Sequence, residues 1–242
     1  GGYRQVMVSA REMEPNNLPD QSQTFVNKRF KYTHGYGITL TTVNEFTPQG
    51  LPNLLIKNIP TESTYESLEV KRPEIYYGEL TDSHVIVNTE EQEFDYPQGE
   101  QNVYVRYEGT GGVEISNFFR KFIFGYLFDG TRLLFSTYPT ENSRIMFNRQ
   151  ISQRVQALAP FLQFEADPYI VMVDGKLKWI IDAYTTSSDY PYSEPFSGQE
   201  SIEYQEGDNR RLLVTQLDQQ LRNVNYIRNS VKVVVDAYNG DV

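Results

Sequence analysis

The stretch K-W-I-I-D-A-Y at residues 178–184 has a counterpart in K-V-V-V-D-A-Y at residues 232–238. Four of the seven positions are identical and the other three are apolar in both copies. Each reads as a strand, in which alternate residues share a face. Lys178, Ile180, Asp182 and Tyr184 lie on one face, and Trp179, Ile181 and Ala183 on the other. In the second copy Lys232, Val234, Asp236 and Tyr238 match the first face, while Val233, Val235 and Ala237 match the second. The apolar-plus-alanine face is the natural core face. Within one copy the lysine and aspartate are four residues apart, roughly 13 Å along a strand, too far to pair. If the two strands are neighbours, Asp182 and Asp236 can approach each other.

The copies sit differently around their turns. Asp174-Gly175 is a favoured two-residue hairpin turn, so 169–184 reads as a β-hairpin with the first copy in its second strand. The second copy precedes its turn signal, Asn239-Gly240. A duplicated hairpin does not give that arrangement. A strand and turn with no returning strand also read as part of a longer protein, with an unpaired sheet edge near Val231–Tyr238.

Strand signals recur at 3–10, in the β-branched run after Gly37, and at 75–77, 84–88 and 103–107. Residues 48–60, with three prolines, the acidic run 89–100, and the polar run 186–209 read as loops. Helical patterns are read over 20–30, with Asp20 as cap, and over 115–128. In the second, Ile115, Phe118, Phe119, Phe122, Tyr126 and Leu127 form one aromatic face. Two more are read over 144–159, with Ser143 as cap and Arg149 off the buried stripe, and over 210–222. Strands lead, helices sit mid-chain and strands return. The pattern is α+β, with a mostly antiparallel mixed sheet and two or three packed helices.

The chain has 242 residues, 39% apolar, and a mean hydropathy of −0.53. That length can bury a core without disulfides or metals. Its 18 tyrosines suit half-buried strands and loop anchors, or a sugar- or partner-binding face. Net charge is −10, and the basic residues fall in scattered pairs such as Lys28-Arg29, Lys71-Arg72 and Arg120-Lys121. Nucleic acid and anionic lipid surfaces are therefore not expected partners. There are no cysteines, which excludes disulfides and thiolate chemistry. The longest uncharged apolar run, Phe122 to Phe128, is far shorter than the roughly 20 residues needed to span a bilayer. No direct lipid insertion by this segment is expected.

Few residues carry a chemical signature. Asp182 and Asp236, with Tyr184 and Tyr238, are candidate ligand-binding groups. Two carboxylates about 5 Å apart suit a retaining glycosidase and a wider gap an inverting one. The plainer reading is that each aspartate accepts hydrogen bonds near a strand end. His34, between Thr33 and Gly35, is a candidate base or ligand, or a hydrogen-bonded turn residue. With only His34 and His84 present, a three-histidine zinc site is impossible, and no metal site is assigned. No cofactor is expected. The acidic run Glu90, Glu91, Glu93 and Asp95, and the segment 203–208, leave calcium open, although neither has calcium-loop spacing. The glycine-rich turn 109–112 lacks a lysine, and Glu114 follows it, so it does not suit phosphate. G-x-S-x-G, H-E-x-x-H and Walker-type patterns are absent.

Six segments in order carry a resemblance: RQVMVSARE (4–12), KYTHGYG (31–37), EFDYP (93–97), SRI with APFL (143–145 and 159–162), DGKLKWIIDAYTTSSDYPYS (174–193) and NYIRNSVKVVVDAYNGD (225–241). Together they resemble the uncharacterised protein family 0182, predicted bacterial membrane proteins. The resemblance is weakest over 194–223, which reads as a variable insertion. It implies transmembrane helices elsewhere in the protein, with residues 1–242 as a single extracytoplasmic domain or a fragment of a larger one. Location at the cell membrane, on its outer side, follows from the same resemblance. So do the expected partners, the protein's own transmembrane part and envelope components. The resemblance implies no activity. Binding, sensing or assembly is the leading expectation; a cell-envelope hydrolase acting on glycans and the external cap of a transporter are the alternatives.

Overall fold

The computed structural model describes residues 3–196, 199–206, 209–216, 221 and 223–242. The two similar segments pair with each other. Strand Lys176–Ser187 runs antiparallel to Tyr226–Asp236, with Lys178 opposite Asp236, Ile180 opposite Val234 and Asp182 opposite Lys232. The segments are thus related by a local two-fold axis at the Ile180–Val234 pair. Each lysine meets the other segment's aspartate, Lys178–Asp236 at 3.2 Å and Lys232–Asp182 at 2.5 Å. The part-buried Lys178–Asp236 pair contributes ~0–1 kcal/mol, and the Lys232–Asp182 pair is open to solvent screening. Burying a large apolar side chain contributes ~1.5–3 kcal/mol, and Trp179, Ile181 and Val235 are all buried. The apolar face therefore drives the pairing, and the charges favour its register. The same register separates Asp182 from Asp236 by four pairs, roughly 13 Å. The close approach open from sequence is not made.

The hairpin read at 169–184 is present, with Asp174 and Gly175 both at positive φ and Tyr169–Val173 on one side of the long strand. Tyr226–Asp236 lies on the other side, and among the described residues it pairs with no further strand. A second sheet orders Val6–Ala10, Ile38–Phe46, Pro52–Lys57 and Glu62–Ser63; a third orders Val113–Glu114, Pro139–Met146 and Val85–Thr89. All the named strand pairs are antiparallel. With α-helices at Phe118–Phe124, Thr131–Leu134 and Ile151–Leu158, the fold is α+β.

Several local readings change. Residues 48–60 contain the strand Pro52–Lys57, with its proline at the first position, where a missing N–H is tolerated. The acidic run contains the hairpin strand Glu93–Gln98, paired with Gln101–Val105. The helix read over 20–30 is a 3₁₀ turn at Asp20–Ser22 followed by a helical turn that widens to π geometry at Asn27–Lys31; Phe30 is buried there as its pattern requires. The helix read over 144–159 begins only at Ile151, capped by Gln150, because Pro139–Met146 is drawn into the third sheet. The loop reading of 186–209 and the helix reading of 210–222 give way to a hairpin of Gln199–Glu206 with Asn209–Gln216. A contiguous apolar run such as Leu212–Val214 does not distinguish helix from strand. Residues 217–220 and 222 lie outside the described residues.

The core is organised around the buried segment Tyr76–Gly78, whose backbone is accounted for group by group. The Tyr76 and Tyr77 amides both donate to the Ala237 carbonyl at 2.9 Å, and the Gly78 amide donates to the Arg149 carbonyl at 3.2 Å. The Tyr76 carbonyl accepts from Arg149 Nε at 2.6 Å and the Tyr77 carbonyl from Trp179 Nε1 at 2.9 Å. The Gly78 carbonyl accepts from the Ile151 amide at 2.9 Å, at the start of the helix. Buried backbone groups must find such partners. Here both halves of the repeated strand pair and the helix supply them.

Arg149, read from sequence as part of a solvated or salt-bridged helix face, is 1% exposed. It precedes the helix rather than lying on it. Besides Tyr76, its guanidinium donates to the carbonyls of Ser83, at 2.9 Å, and Thr33. Burial lowers its pKa to about 10, so it stays charged at neutral pH. Carbonyl dipoles, not a carboxylate, receive all three of these bonds. Arg149→Met leaves three carbonyls without their donor, two of them buried, and we expect a loss of at least about 2 kcal/mol, at ~1–3 kcal/mol per buried unsatisfied group. Urea denaturation measures it; a loss below about 1 kcal/mol would rule out the clamp.

Candidate functional site

The repeated D-A-Y ends lead to two different places. After Asp236 the chain turns, and Asp236 Oδ1 accepts from the amides of Tyr238 and Asn239 at 3.0 and 2.9 Å. Oδ2 accepts from Lys178. The turn reverses tightly at Gly240, whose φ is +74° and whose Cα packs on the Tyr77 ring; a Cβ there would come within 2.5 Å of ring carbons. Tyr238 is thereby folded inward onto Tyr107 and Tyr76, with ring centroids 4.8 and 5.3 Å apart.

A cleft of about 260 Å³ opens beside this turn. Arg72, Glu74, Glu108, Lys176, Asp236 and Tyr238 are among its lining residues. The Arg72 guanidinium lies 4.6 Å over the Tyr238 ring, a cation–π contact. Its polar contacts are all long: 3.3 Å to the Tyr238 hydroxyl, 3.4 Å to Glu108 and 3.8 Å to Glu74. None fixes the guanidinium strongly. Glu74 is only 7% exposed and its Oε2 is a buried oxygen without a hydrogen-bond partner. Burial raises its carboxyl above the usual range, against the lowering effects of its own backbone N–H, His34 and Arg72. Burial likewise raises the Tyr238 hydroxyl. The cleft thus offers one buried acceptor, two cations and an aromatic wall, which suits a small polar ligand carrying a donor for Glu74.

Behind the cleft lies a buried polar network. Glu93 accepts from Thr33 Oγ1 at 2.7 Å, Tyr76 OH at 2.8 Å, the Tyr107 amide at 3.2 Å and the Asn88 amide at 3.3 Å. His34 packs on Tyr76 at 4.7 Å, with Nδ1 2.9 Å from Thr33 Oγ1 and Nε2 3.3 Å from Asp95. The three clustered tyrosines act as loop anchors here. The Tyr107 hydroxyl donates to Asn239 Oδ1 at 2.6 Å and accepts from the Gly111 amide at 2.7 Å. Arg144 fastens the same glycine-rich turn through the carbonyls of Thr110, Gly111 and Gly112.

Of the sequence candidates, the structure brings Asp236 and Tyr238 to the cleft and sets His34 behind it. Asp182 and Tyr184 lie at the far end of the strand pair. There Lys232 bonds Asp182 and holds its carboxyl below the usual range, while the Tyr184 hydroxyl donates to Glu165 at 2.9 Å. The two histidines join separate networks: His84 Nε2 is 2.6 Å from Asp129. Among the described residues, no group of three or more His, Asp or Glu side chains could hold a metal ion. Glu93 and Asp95, two of the acids considered for calcium, are instead engaged by the buried network. The side chains of the second acidic stretch, 203–208, lie outside the described residues. Arg72, Glu74, Glu108 and Lys176 were not singled out from sequence. They come from three separate stretches, and no spacing marks them as one site.

The fold and cleft define an α+β protein of antiparallel sheets with a small mixed-charge pocket at the closing turn of its longest strand pair. The chain belongs to the Uncharacterised protein family (UPF0182), whose family model matches residues 1–242. Among its relatives, a "UPF0182 protein" of Pelotomaculum thermopropionicum is 50% identical over all of this chain and 24% of its own length. One of Trichodesmium erythraeum is 49% identical over 99% of this chain and 26% of its own, and one of Methanospirillum hungatei 44% identical over 100% and 25%. The chain spans about a quarter of the length of these relatives. No solved structure matches it.

The raised Glu74 carboxyl has a pH signature. In the window above the ordinary value of 4.5, the folded chain holds this proton while the unfolded chain releases it. The group's contribution to stability therefore falls as pH rises through that window. Glu74→Gln removes the cost of a buried charge. We expect a higher Tm than wild type at pH 7, with the difference shrinking toward pH 4.5. Thermal denaturation across that range checks this, and an equal or lower Tm at pH 7 would contradict it.

Proposed function

We propose that this chain is an extracytoplasmic portion of an integral membrane protein and that it works by binding a small polar ligand in the Glu74–Tyr238 cleft. The observation that carries the binding reading is the buried, unpartnered Oε2 of Glu74, a residue that lines the pocket together with Arg72 and Lys176. An orphan acceptor of this kind costs stability unless something donates to it. Arg72, held only by long contacts, is free to turn toward an acidic or hydroxylated ligand group. The location rests on the sequence resemblance and is supported by relatives about four times as long as this chain, which leave ample length for other parts.

Glycan hydrolysis fits the geometry less well. Asp182 and Asp236 sit at opposite ends of the strand pair, each engaged by a lysine. Asp236 is further occupied by two backbone amides. Neither is disposed as an acid facing a nucleophile.

The test is a thermal-shift screen of the chain against envelope glycan fragments and zwitterionic amino acids, with calcium chloride as a separate arm. A ligand present at about a hundred times its Kd adds about 2.7 kcal/mol. For a chain of this size that is on the order of 5–10 °C in Tm. We expect such a rise with a ligand of the first two classes, abolished in Arg72→Ala and in Glu74→Leu, which removes the acceptor. A rise undiminished in both variants, or no rise with any compound, would overturn the cleft reading.

A further inference from the structure

The aromatic helix does not bury the face that its sequence pattern marks out. Helical structure runs from Phe118 to Asp129, widening to π geometry from Gly125, and a short second helix follows at Thr131–Leu134. Its inner side is already satisfied. Phe124 and Phe128 pack on Phe147 at 5.9 and 5.7 Å, and Phe128 stacks on His84 at 4.6 Å. The outer side carries Phe118, Phe119, Phe122, Tyr126, Leu127 and Phe135. Phe118, Phe119, Tyr126 and Phe135 are 75%, 70%, 83% and 82% exposed. Single exposed apolar residues are ordinary, but a contiguous aromatic face marks an interaction surface.

Charge decides what kind of surface it is. The chain carries a net −10, yet between residues 117 and 136 the charged residues are Arg120, Lys121, Asp129 and Arg132. Asp129 is withdrawn from solvent: Arg29 lies 3.0 Å and His84 2.6 Å from its carboxylate. Burial alone would raise that carboxyl, but His84 and Arg29 hold it below the usual range. The segment therefore shows basic side chains beside aromatic ones and no open carboxylate. From sequence the basic residues look scattered. The fold sets Arg120 and Lys121 on the first of these helices and Arg132 on the second, which follows it directly.

We infer that this aromatic face docks on the surface of an anionic lipid bilayer. The rings lie at the depth of the headgroups, and the exposed Arg120 and Arg132 meet lipid phosphates, while Lys121, bonded to the Ser136 carbonyl, adds positive charge beside them. A short helical element with aromatic residues on one side and basic residues beside them is the composition of an interfacial helix. Tyrosine suits that boundary, and phenylalanine the apolar face of an interfacial helix. The contact is superficial: no helix among the described residues is long and apolar enough to cross a membrane. The inference goes beyond the cleft reading and shares with it only the placement beside a membrane.

Flotation with vesicles tests it. Wild-type chain is mixed with vesicles of phosphatidylcholine alone, or of phosphatidylcholine containing one part in four phosphatidylglycerol. The comparison variants are Phe119→Ser/Tyr126→Ser and Arg120→Glu/Arg132→Glu. All four positions are solvent-exposed, so both variants should keep the wild-type Tm, and this is measured alongside. We expect wild type to float with the anionic vesicles, to bind neutral vesicles more weakly, and to lose at least tenfold in affinity in either variant. Absence of wild-type flotation with the anionic vesicles, or binding unaffected by both variants, would overturn the inference. So would a wild-type dimer that becomes monomeric in the aromatic variant without lipid binding, because the face would then be a protein interface. None of these outcomes bears on the ligand-induced Tm shift at Glu74, so the two readings fail separately.

Discussion

The backbone of Tyr76–Gly78 is the constraint on which the rest depends. These residues are buried, yet each peptide group carries a donor and an acceptor that cannot be left unpaired. No single neighbouring strand satisfies them. The partners are a carbonyl from the C-terminal turn, an indole from the central strand, a buried guanidinium and the first turn of a helix. This requirement ties the strand pair, the helix and the C-terminal turn to one another. It also explains why a cation is retained in the core. Arg149 is a donor fork answering three carbonyls at once, a geometry that a lysine ammonium does not match.

The cleft follows from that arrangement. Because Ala237 receives the Tyr76 and Tyr77 amides, the residue after it is delivered to the surface of the tyrosine cluster. Tyr238 then forms one wall of the pocket, and Glu74, just ahead of Tyr76, is carried into the interior. Its carboxylate is the one cleft acid that the fold leaves with a buried oxygen unanswered. Asp236, by contrast, is spent on the turn and on Lys178. The repeated Lys–Asp pattern thus serves the strand register, and the ligand-facing chemistry falls to residues outside the repeat.

Much of this architecture was legible in sequence. Alternation in 178–184 and 232–238 assigned the core face correctly, and Asp174-Gly175 placed the hairpin. Periodicity fails where it is ambiguous: residues 144–146 fit the start of the helix read over 144–159, although their third-sheet partners make them the end of the strand Pro139–Met146, and 210–216 has a contiguous apolar run that fits either state. It also failed where burial ran against residue type. Arg149 and Glu74 are charged, and local sequence gives no hint that long-range contacts bury them. The antiparallel mate of each lysine lies more than forty positions away, so the exchange of partners between the two segments becomes visible only once they are paired. The aromatic helix shows the converse, a pattern whose residues are evident in sequence but whose outward direction only the packing of Phe124 and Phe128 reveals.

Native-state hydrogen exchange at the Tyr76 and Tyr77 amides tests the central claim most directly. If this segment is the hub, both amides exchange only through global unfolding, with protection equal to that of the Ile180–Asp182 strand amides. Exchange at Tyr76 and Tyr77 orders of magnitude faster than in that strand would show that the segment opens on its own, and would contradict the account.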